Sequence, residues 1–394
     1  MKLLEPLSLA SFRLKNRIVM APLARARGDE ARAPKQIVAT HYAQRASAGL
    51  IITEANHVST QSATRATATA HHNERQSSAW RNVVEEVHSA GGLIFQQIYH
   101  VGRKSLLSNT PGRQAPVAPS ALAAYGGIMT ENGLEEFPVP RPLEFEEIPG
   151  IVEDYRRSVI LAREAGFDGV EILAGNGFLI DQFLRDSANQ RTDLYGGPIE
   201  NRARLLLEIV DAAIAELGAH RIGVRLSPHF RADRISDSNP RATFSYVASE
   251  LNKREVAYIH LLEGTSYDES GDVPLYKRLV SKASNGSGPR PGEDFLAPVI
   301  RSLFHGVLIL NSGYDRESAE EVVASGLADA VSFGKLFIAN PDLPRRFQLG
   351  APLNEADTST YYTNGPEGYI DYPFLDQDAT PEALPNVLQS GGQL

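Results

Sequence analysis

One join recurs along this chain: an amphipathic helical stretch, a glycine, then a short apolar run. It reads RASAGLIIT (45–53), HSAGGLIFQQI (88–98), AREAGFDGVEI (162–172), ELGAHRIGVRL (216–226) and VASGLADAVSF (323–333). Glycine suits the left-handed backbone position that ends a helix. A short, non-alternating apolar run marks a parallel strand covered on both faces. Adding Ile18–Ala21, Val256–Leu262 and Val307–Leu310 gives eight candidate strands separated by helices. That order predicts the α/β class and a (β/α)8 TIM barrel with inserted loops over its C-terminal face. The rival, a doubly wound open sheet, usually carries a glycine-rich turn after its first strand; here that position reads MAPLARARG (20–28).

The helices between the runs are marked by their ends. One starts at Pro198, turns Leu205, Leu206, Ile209, Val210, Ala213 and Leu217 to one face, and stops at Gly218. Another runs from about Ile151 to Ala165 and stops at Gly166, and a third starts at Asp315, an N-cap residue type. Residues 104–147 are rich in Pro, Gly and Ser and read as an excursion over the barrel mouth, while 265–292 read as a mobile loop. Length fits one barrel, so residues 1–374 are expected to form a single domain and 375–394 a C-terminal extension. The extension reads as an arm lying on the body or on a second copy, and a homodimer fits it.

Composition narrows the partners. The 394 residues contain no cysteine, which excludes disulfides, thiolate metal sites and a cysteine nucleophile. The net charge is −9 with no basic run, so neither nucleic acid nor an anionic membrane surface is expected as a partner. The N-terminus is broken by Glu5 and Pro6 and lacks a signal-peptide core, and no apolar run approaches the roughly 20 residues that span a bilayer. A soluble, cytoplasmic protein acting on a small molecule is the expectation. His71–His72 lacks the carboxylate–histidine spacing of a metal pair, so no metal is expected.

In such barrels the loops after strands seven and eight commonly bind phosphate. Here they read LNSGYDRESA and SFGKLFIANPDLP. Backbone N–H groups of Ser312, Gly313 and Gly334 can face a phosphate, with Lys335 adding charge; alternatively the glycines only make tight turns. Gln97 and Arg225 stand near the ends of strands three and five. They suit a planar heterocycle bearing carbonyl and N–H groups, or else bridge strands and pair with a carboxylate.

These segments together resemble the Old Yellow Enzyme family of FMN-dependent ene reductases. The matching stretches are NRIVMAPLAR (16–25), QQIYHVGRK (96–104), EIPGIVEDYRRSVILAREAGFDGVEI (147–172), NGFLIDQFLRDSANQRTDLYGGPIENR (176–202), VRLSP (224–228), SGYDRESAEEV (312–322) and GLADAVSFGKLFIANPDLPRRF (326–347). The resemblance implies that Pro22, Leu23, Ala24 and Ala55 line an FMN, that Gln97 holds its pyrimidine edge, and that Arg225 supports the anionic reduced flavin. It implies that Ser312, Gly313, Gly334 and Lys335 hold the phosphate. Arginine is usual at the last position, and Lys335 keeps the charge without the bidentate fork. NAD(P)H is the implied reductant and an activated C=C bond the implied substrate.

On the substrate side the pattern departs from the family. A histidine, then Asn or His, then a proton-donating tyrosine are usual after strand four; here the positions are Leu173, Asn176 and Phe178. Ala24 replaces a common threonine, whose lost hydrogen bond would make the flavin harder to reduce by ~1 kcal/mol. Tyr99 stands where tryptophan is frequent, and Tyr362 matches a tyrosine that closes the pocket. Tyr99, Tyr362, His100, His71 and His72 are the hydroxyl and imidazole candidates for the missing acid, each of them also explicable as structural. Two further readings follow from Leu173 and Phe178: specialised flavin chemistry, either redox-neutral isomerisation or substrate oxidation, and a non-catalytic flavin binder.

Overall fold

The computed structural model describes residues 1–65, 67–130, 133–263 and 295–375. The expected loop at 265–292 and the expected arm beyond Phe374 lie almost wholly outside the described residues. Eight parallel strands close into a barrel: β1 (Ile18–Met20), β2 (Leu50–Ile52), β3 (Ile94–Tyr99), β4 (Gly169–Ala174), β5 (Ile222–Leu226), β6 (Tyr258–Leu262), β7 (Val307–Asn311) and β8 (Ala330–Phe333). Each pairs with the next, and β8 pairs with β1 through Val331–Ile18, Ser332–Val19 and Phe333–Met20. Every residue of β1 to β6 and β8 is buried, as expected of strands covered on both faces.

The larger helices are α1 (Gln36–Gln44), α2 (Glu74–Ser89), α3 (Ile148–Glu164), α4 (Leu179–Leu184), α5 (Ile199–Leu217), α6 (Pro240–Lys253), α7 (Ala297–Leu303) and α8 (Arg316–Ala324), followed by the short α9 (Lys335–Ala339) and α10 (Leu343–Leu349). Their ends follow local chemistry. Asp315 caps α8 by accepting from Ser318 N, within a reciprocal capping box. Pro198 stands just outside α5, and Gly218 closes it at φ +82°. α3 begins three residues before the expected Ile151, because Pro149 is tolerated in a first turn.

Two features differ from the sequence expectation. A hairpin, Leu7–Leu9 against Phe12–Leu14, packs Leu9 and Leu14 into a cluster with Leu50, Phe95, Tyr258 and Ala330 at the N-terminal ends of the strands. It closes the barrel floor. The excursion at 104–147 is not all loop: Gly127–Thr130 pairs with Gly133–Glu136, and Val117–Ala118 pairs with Arg141–Pro142. Among the described residues no helix is long and apolar enough to cross a membrane.

Candidate active site

The strand register gathers polar residues where apolar ones would be ordinary. Gln97 pairs with Glu171 across β3–β4, Arg225 with His260 across β5–β6, and Asn311 with Ser332 across β7–β8. Glu171 and His260 are fully buried, so their groups must satisfy one another. Gln97 Nε2 donates to Glu171 Oε1 at 2.6 Å, and His260 Nδ1 donates to Glu171 Oε2 at 2.8 Å. Ser332 Oγ donates to His260 Nε2 at 2.7 Å. Arg225 Nη2 donates to Asn311 Oδ1 at 2.9 Å.

Burial presses His260 below its ordinary range, the Arg225 charge lowers it further, and Glu171 offsets part of this. Burial alone would raise Glu171, but His260, Arg225 and Gln97 together hold it below the usual carboxylate range. At neutral pH the cluster is therefore a carboxylate, a neutral imidazole and a guanidinium. With one amide N–H spent on Glu171, Gln97 keeps its carbonyl oxygen and second N–H for the cavity, a pairing suited to a heterocycle edge. Gln97 and Arg225 thus bridge strands, as one sequence alternative had it, and also line the cavity.

That cavity, about 1300 Å³, opens at the C-terminal ends of the strands. Pro22, Leu23, Ala24, Ala55, Gln97 and Arg225 line one part, and Ser312, Gly313, Gly334 and Lys335 line its far end. Tyr99, Leu173, Asn176, Phe178 and Tyr362 line the other part, so the expected flavin residues and the substrate-motif residues meet in one space, while the three histidine candidates do not join them. At the far end Ser312 is held at φ +134° and Gly313 at +70°. A serine in that region is strained, a condition that clusters at ligand sites. A Cβ on Gly334 would come within 3.1 Å of Leu23 Cδ2 and so intrude on the lining. Amides at a strained turn, a lysine at the same end and an amide–guanidinium pair 97–225 nearer the barrel axis form a donor set that fits a phosphate-bearing flavin.

The substrate part is mostly apolar. Tyr99 and Phe178 meet edge to face at 4.9 Å, and Leu173 and Ala55 pack against them. Asn176 adopts φ +58°, a conformation Asn tolerates better than most residues, which is a backbone reason for its presence. Ser62 Oγ donates to Tyr99 O, so it accepts from His57 Nδ1, and His57 Nε2 is left as an acceptor with the Thr64 hydroxyl at 3.3 Å and the Tyr99 hydroxyl at 3.4 Å. Tyr362 is 54% exposed, with the Arg65 guanidinium 4.4 Å from its ring centroid. His100 and His71 do not line the cavity; burial lowers them to about 3 and about 4. His72 is likewise outside the lining. Among the described residues no three His, Asp or Glu gather as metal ligands.

Beyond the cluster of Glu171, His260, Asn311 and Ser332, two further groups of residues were missed from the sequence. Lys104 and Phe230 line the substrate part, although Lys104 ends a stretch already noted for its family likeness. Arg25 and Arg27 fasten the chain from Thr360 to Tyr369 to the body, and Arg45 ties the end of α1 to α9. Arg25 donates to Gly368 O at 2.8 Å, Arg27 to Tyr361 O at 2.9 Å, and Arg45 to Phe337 O and Ile338 O at 2.7 and 2.8 Å. His41 Nδ1 lies 2.9 Å from Tyr369 O and its ring stacks on Tyr369. This fastening brings Tyr362 to the cavity. The available signal was an unusual density of arginines in LARAR beside strand one.

Comparison with known proteins agrees with this geometry. Residues 2–354 match the model of the NADH:flavin oxidoreductase / NADH oxidase family. The chain is 42% identical over 378 residues to 12-oxophytodienoate reductase 1 of Oryza sativa subsp. japonica, covering 95% of this chain and 93% of that protein. It is 41% identical over 378 residues to a probable flavin mononucleotide-dependent alkene reductase of Leishmania infantum, covering 95% and 97% of the two chains. Morphinone reductase, solved with tetrahydroNAD, superposes with a TM-score of 0.86 at 43% identity over 96% of this chain and 99% of that one. The Old Yellow Enzyme homologue of Zymomonas mobilis superposes with a TM-score of 0.87 at 41% identity, over 95% and 100%. On the family match, the relatives and the cofactor-shaped site alike, the chain belongs to the Old Yellow Enzyme family and is an FMN-dependent oxidoreductase.

Proposed function

We propose that the protein reduces an activated C=C bond, that of an α,β-unsaturated carbonyl compound, with NAD(P)H as the electron donor. The observation that carries this reading is the continuity of one cavity from the flavin cradle to an apolar pocket bounded by Tyr99, Leu173 and Phe178. Bound FMN would supply hydride chemistry between reduced nicotinamide and the carbon β to the carbonyl. Gln97 and Arg225 would hold its pyrimidine edge, the Arg225 charge favouring the anionic reduced form. Ser312, Gly313, Gly334 and Lys335 would hold its phosphate, and Pro22, Leu23, Ala24 and Ala55 its ring faces. Asn176 remains as a side-chain donor for the substrate carbonyl, while Leu173 offers none. The apolar walls exclude water and orient the alkene, so the pocket favours bulky, weakly polar substrates. The test is anaerobic: NADH or NADPH should bleach the flavin, and an activated enone or maleimide should restore its colour. Failure of a broad enone panel to reoxidise the flavin would overturn the reading.

A second reading rests on Leu173 and Phe178 alone. With the usual proton-donating tyrosine replaced, the same site suits a redox-neutral isomerisation or a substrate oxidation. It expects product without net NAD(P)H use, and strict one-to-one consumption with the physiological substrate excludes it.

A further inference from the structure

Hydride addition at the β-carbon leaves a carbanion α to the carbonyl, and that carbon must acquire a proton. Phe178 has none to give. The Tyr99 hydroxyl has an acceptor inside the wall at His57, and Tyr362 stands out toward solvent. Among the described residues that line the cavity, one further group able to give up a proton stands against Phe178, and the family resemblance did not single it out.

Lys104 follows a turn in which Gly102 adopts φ +60°, and it lines the cavity. Its Nζ lies 4.8 Å from the centroid of the Phe178 ring and 5.4 Å from that of Phe230, so the ammonium is held between two aromatic faces. One N–H donates to Asn176 O at 3.2 Å, and the ammonium pairs with the Asp233 carboxylate. A lysine has three N–H groups, so one is left for a ligand. Asp233 is itself fixed: Arg103 Nη2 donates to its carbonyl oxygen at 3.3 Å, and Arg103 Nη1 donates to Leu122 O at 3.1 Å. The Lys104 side chain is 16% exposed, enough for exchange of a proton with water. Two of the positions that depart from the family pattern in the substrate motif, or flank the departure, are therefore in contact with this one ammonium.

We propose that Lys104 is the proton donor of the reduction, taking the part that Phe178 cannot. The inference rests on the alkene-reductase reading above. Reduced flavin supplies the hydride to the β-carbon, and the alkene π pair moves toward the α-carbon and the carbonyl oxygen. An Nζ–H bond of Lys104 then breaks as a C–H bond forms at the α-carbon. The neutral amine regains its proton from water, so each turnover consumes one hydride and one proton. Asp233 acts as a positioning residue, holding the ammonium against Phe178. Because Lys104 and Asp233 together are neutral, the pocket takes an uncharged enone in preference to a carboxylate.

Lys104→Met keeps most of the length of the unbranched side chain between the two rings and removes the acid. Stopped-flow measurement on the FMN-loaded protein separates the two half-reactions, and flavin bleaching by NADH, which needs no proton from this lysine, should slow far less than reoxidation. Reoxidation by 2-cyclohexenone should slow by about 10²-fold, the usual cost of a lost general acid. Lys104→Arg, which keeps the charge but is a far weaker acid, should be slow as well. Phe178→Tyr added to Lys104→Met should recover most of the rate while the thermal midpoint and visible flavin spectrum stay unchanged. Wild-type reoxidation in Lys104→Met, or in Lys104→Arg, would overturn the assignment while leaving the reductase reading intact. A wild-type protein that no enone reoxidises would overturn both.

Discussion

Replacing Glu171 with glutamine changes one atom and puts the wrong charge and the wrong donor into a fully buried site. Both Glu171 oxygens accept hydrogen bonds, from Gln97 and from His260. A glutamine offers one acceptor and one NH2 group, so an N–H would face either the Gln97 amide or His260 Nδ1–H. His260 can answer by moving its proton to Nε2, and Ser332 must then turn from donor to acceptor. That rearrangement rescues the hydrogen bonds and leaves the Arg225 charge, 7% exposed, without its buried carboxylate. Breaking a buried pair by removing one partner costs roughly 3–5 kcal/mol. With partial rescue by His260 we expect ~3 kcal/mol at neutral pH. An unfolding entropy of about 2.1 cal/mol/K per residue over 394 residues is ~0.8 kcal/mol/K, so the midpoint should fall by about 4 °C. Differential scanning fluorimetry of the FMN-loaded protein measures this, and flavin-fluorescence titration measures the accompanying loss of FMN affinity as Gln97 and Arg225 lose their anchor. An unchanged midpoint with unchanged affinity would refute the view that Glu171 balances Arg225 and aims Gln97.

Leu173→His should add a donor for a carbonyl or phenolate oxygen beside Asn176; titration with p-hydroxybenzaldehyde should give a long-wavelength charge-transfer band that the wild type shows weakly, and a strong wild-type band would mean another donor already serves. Burial lifts Glu263 from 4.5 to about 7, although Leu296 N and Ala297 N donate to it at 2.7 and 2.6 Å. The rise corresponds to ~3 kcal/mol of stability, fully present below pH 4.5 and lost as pH rises through about 7. Glu263→Gln should therefore match wild type at pH 4.5 and be more stable at pH 8 to 9 by up to ~3 kcal/mol; a stability difference that does not vary with pH counts against this.

The barrel was readable in the chain because its strands are covered on both faces and five of the eight follow a helix and a glycine. The loops proposed to hold phosphate could be picked out because their position after β7 and β8 carries chemical meaning in this architecture. The floor hairpin was not, since LSLASFRL holds only two three-residue strands whose partners are scattered from Leu50 to Ala330. The hairpin within 104–147 lacks a β-branched alternation and was read as loop. The Glu171–His260 contact joins residues 89 apart. Its trace was a single charged or polar residue inside each of the runs GVEILA and YIHLL. Lys104 and Asp233 lie still farther apart in sequence, and only the folded loops after β3 and β5 bring them together.

The closed floor also orders events in time. The amides of Lys2 and Leu3 are held by Glu320, 318 and 317 residues away, and Val331 N reaches back to Arg17 O. Such contacts demand closure of nearly the whole chain into one loop, a slow and entropically costly step. During synthesis the first 20 residues emerge early and wait, while β1 exposes an unpaired edge until β8 arrives. The barrel can be completed only after residue 333, so any partly made chain carries an open sheet and depends on protection of that edge until the last strand docks.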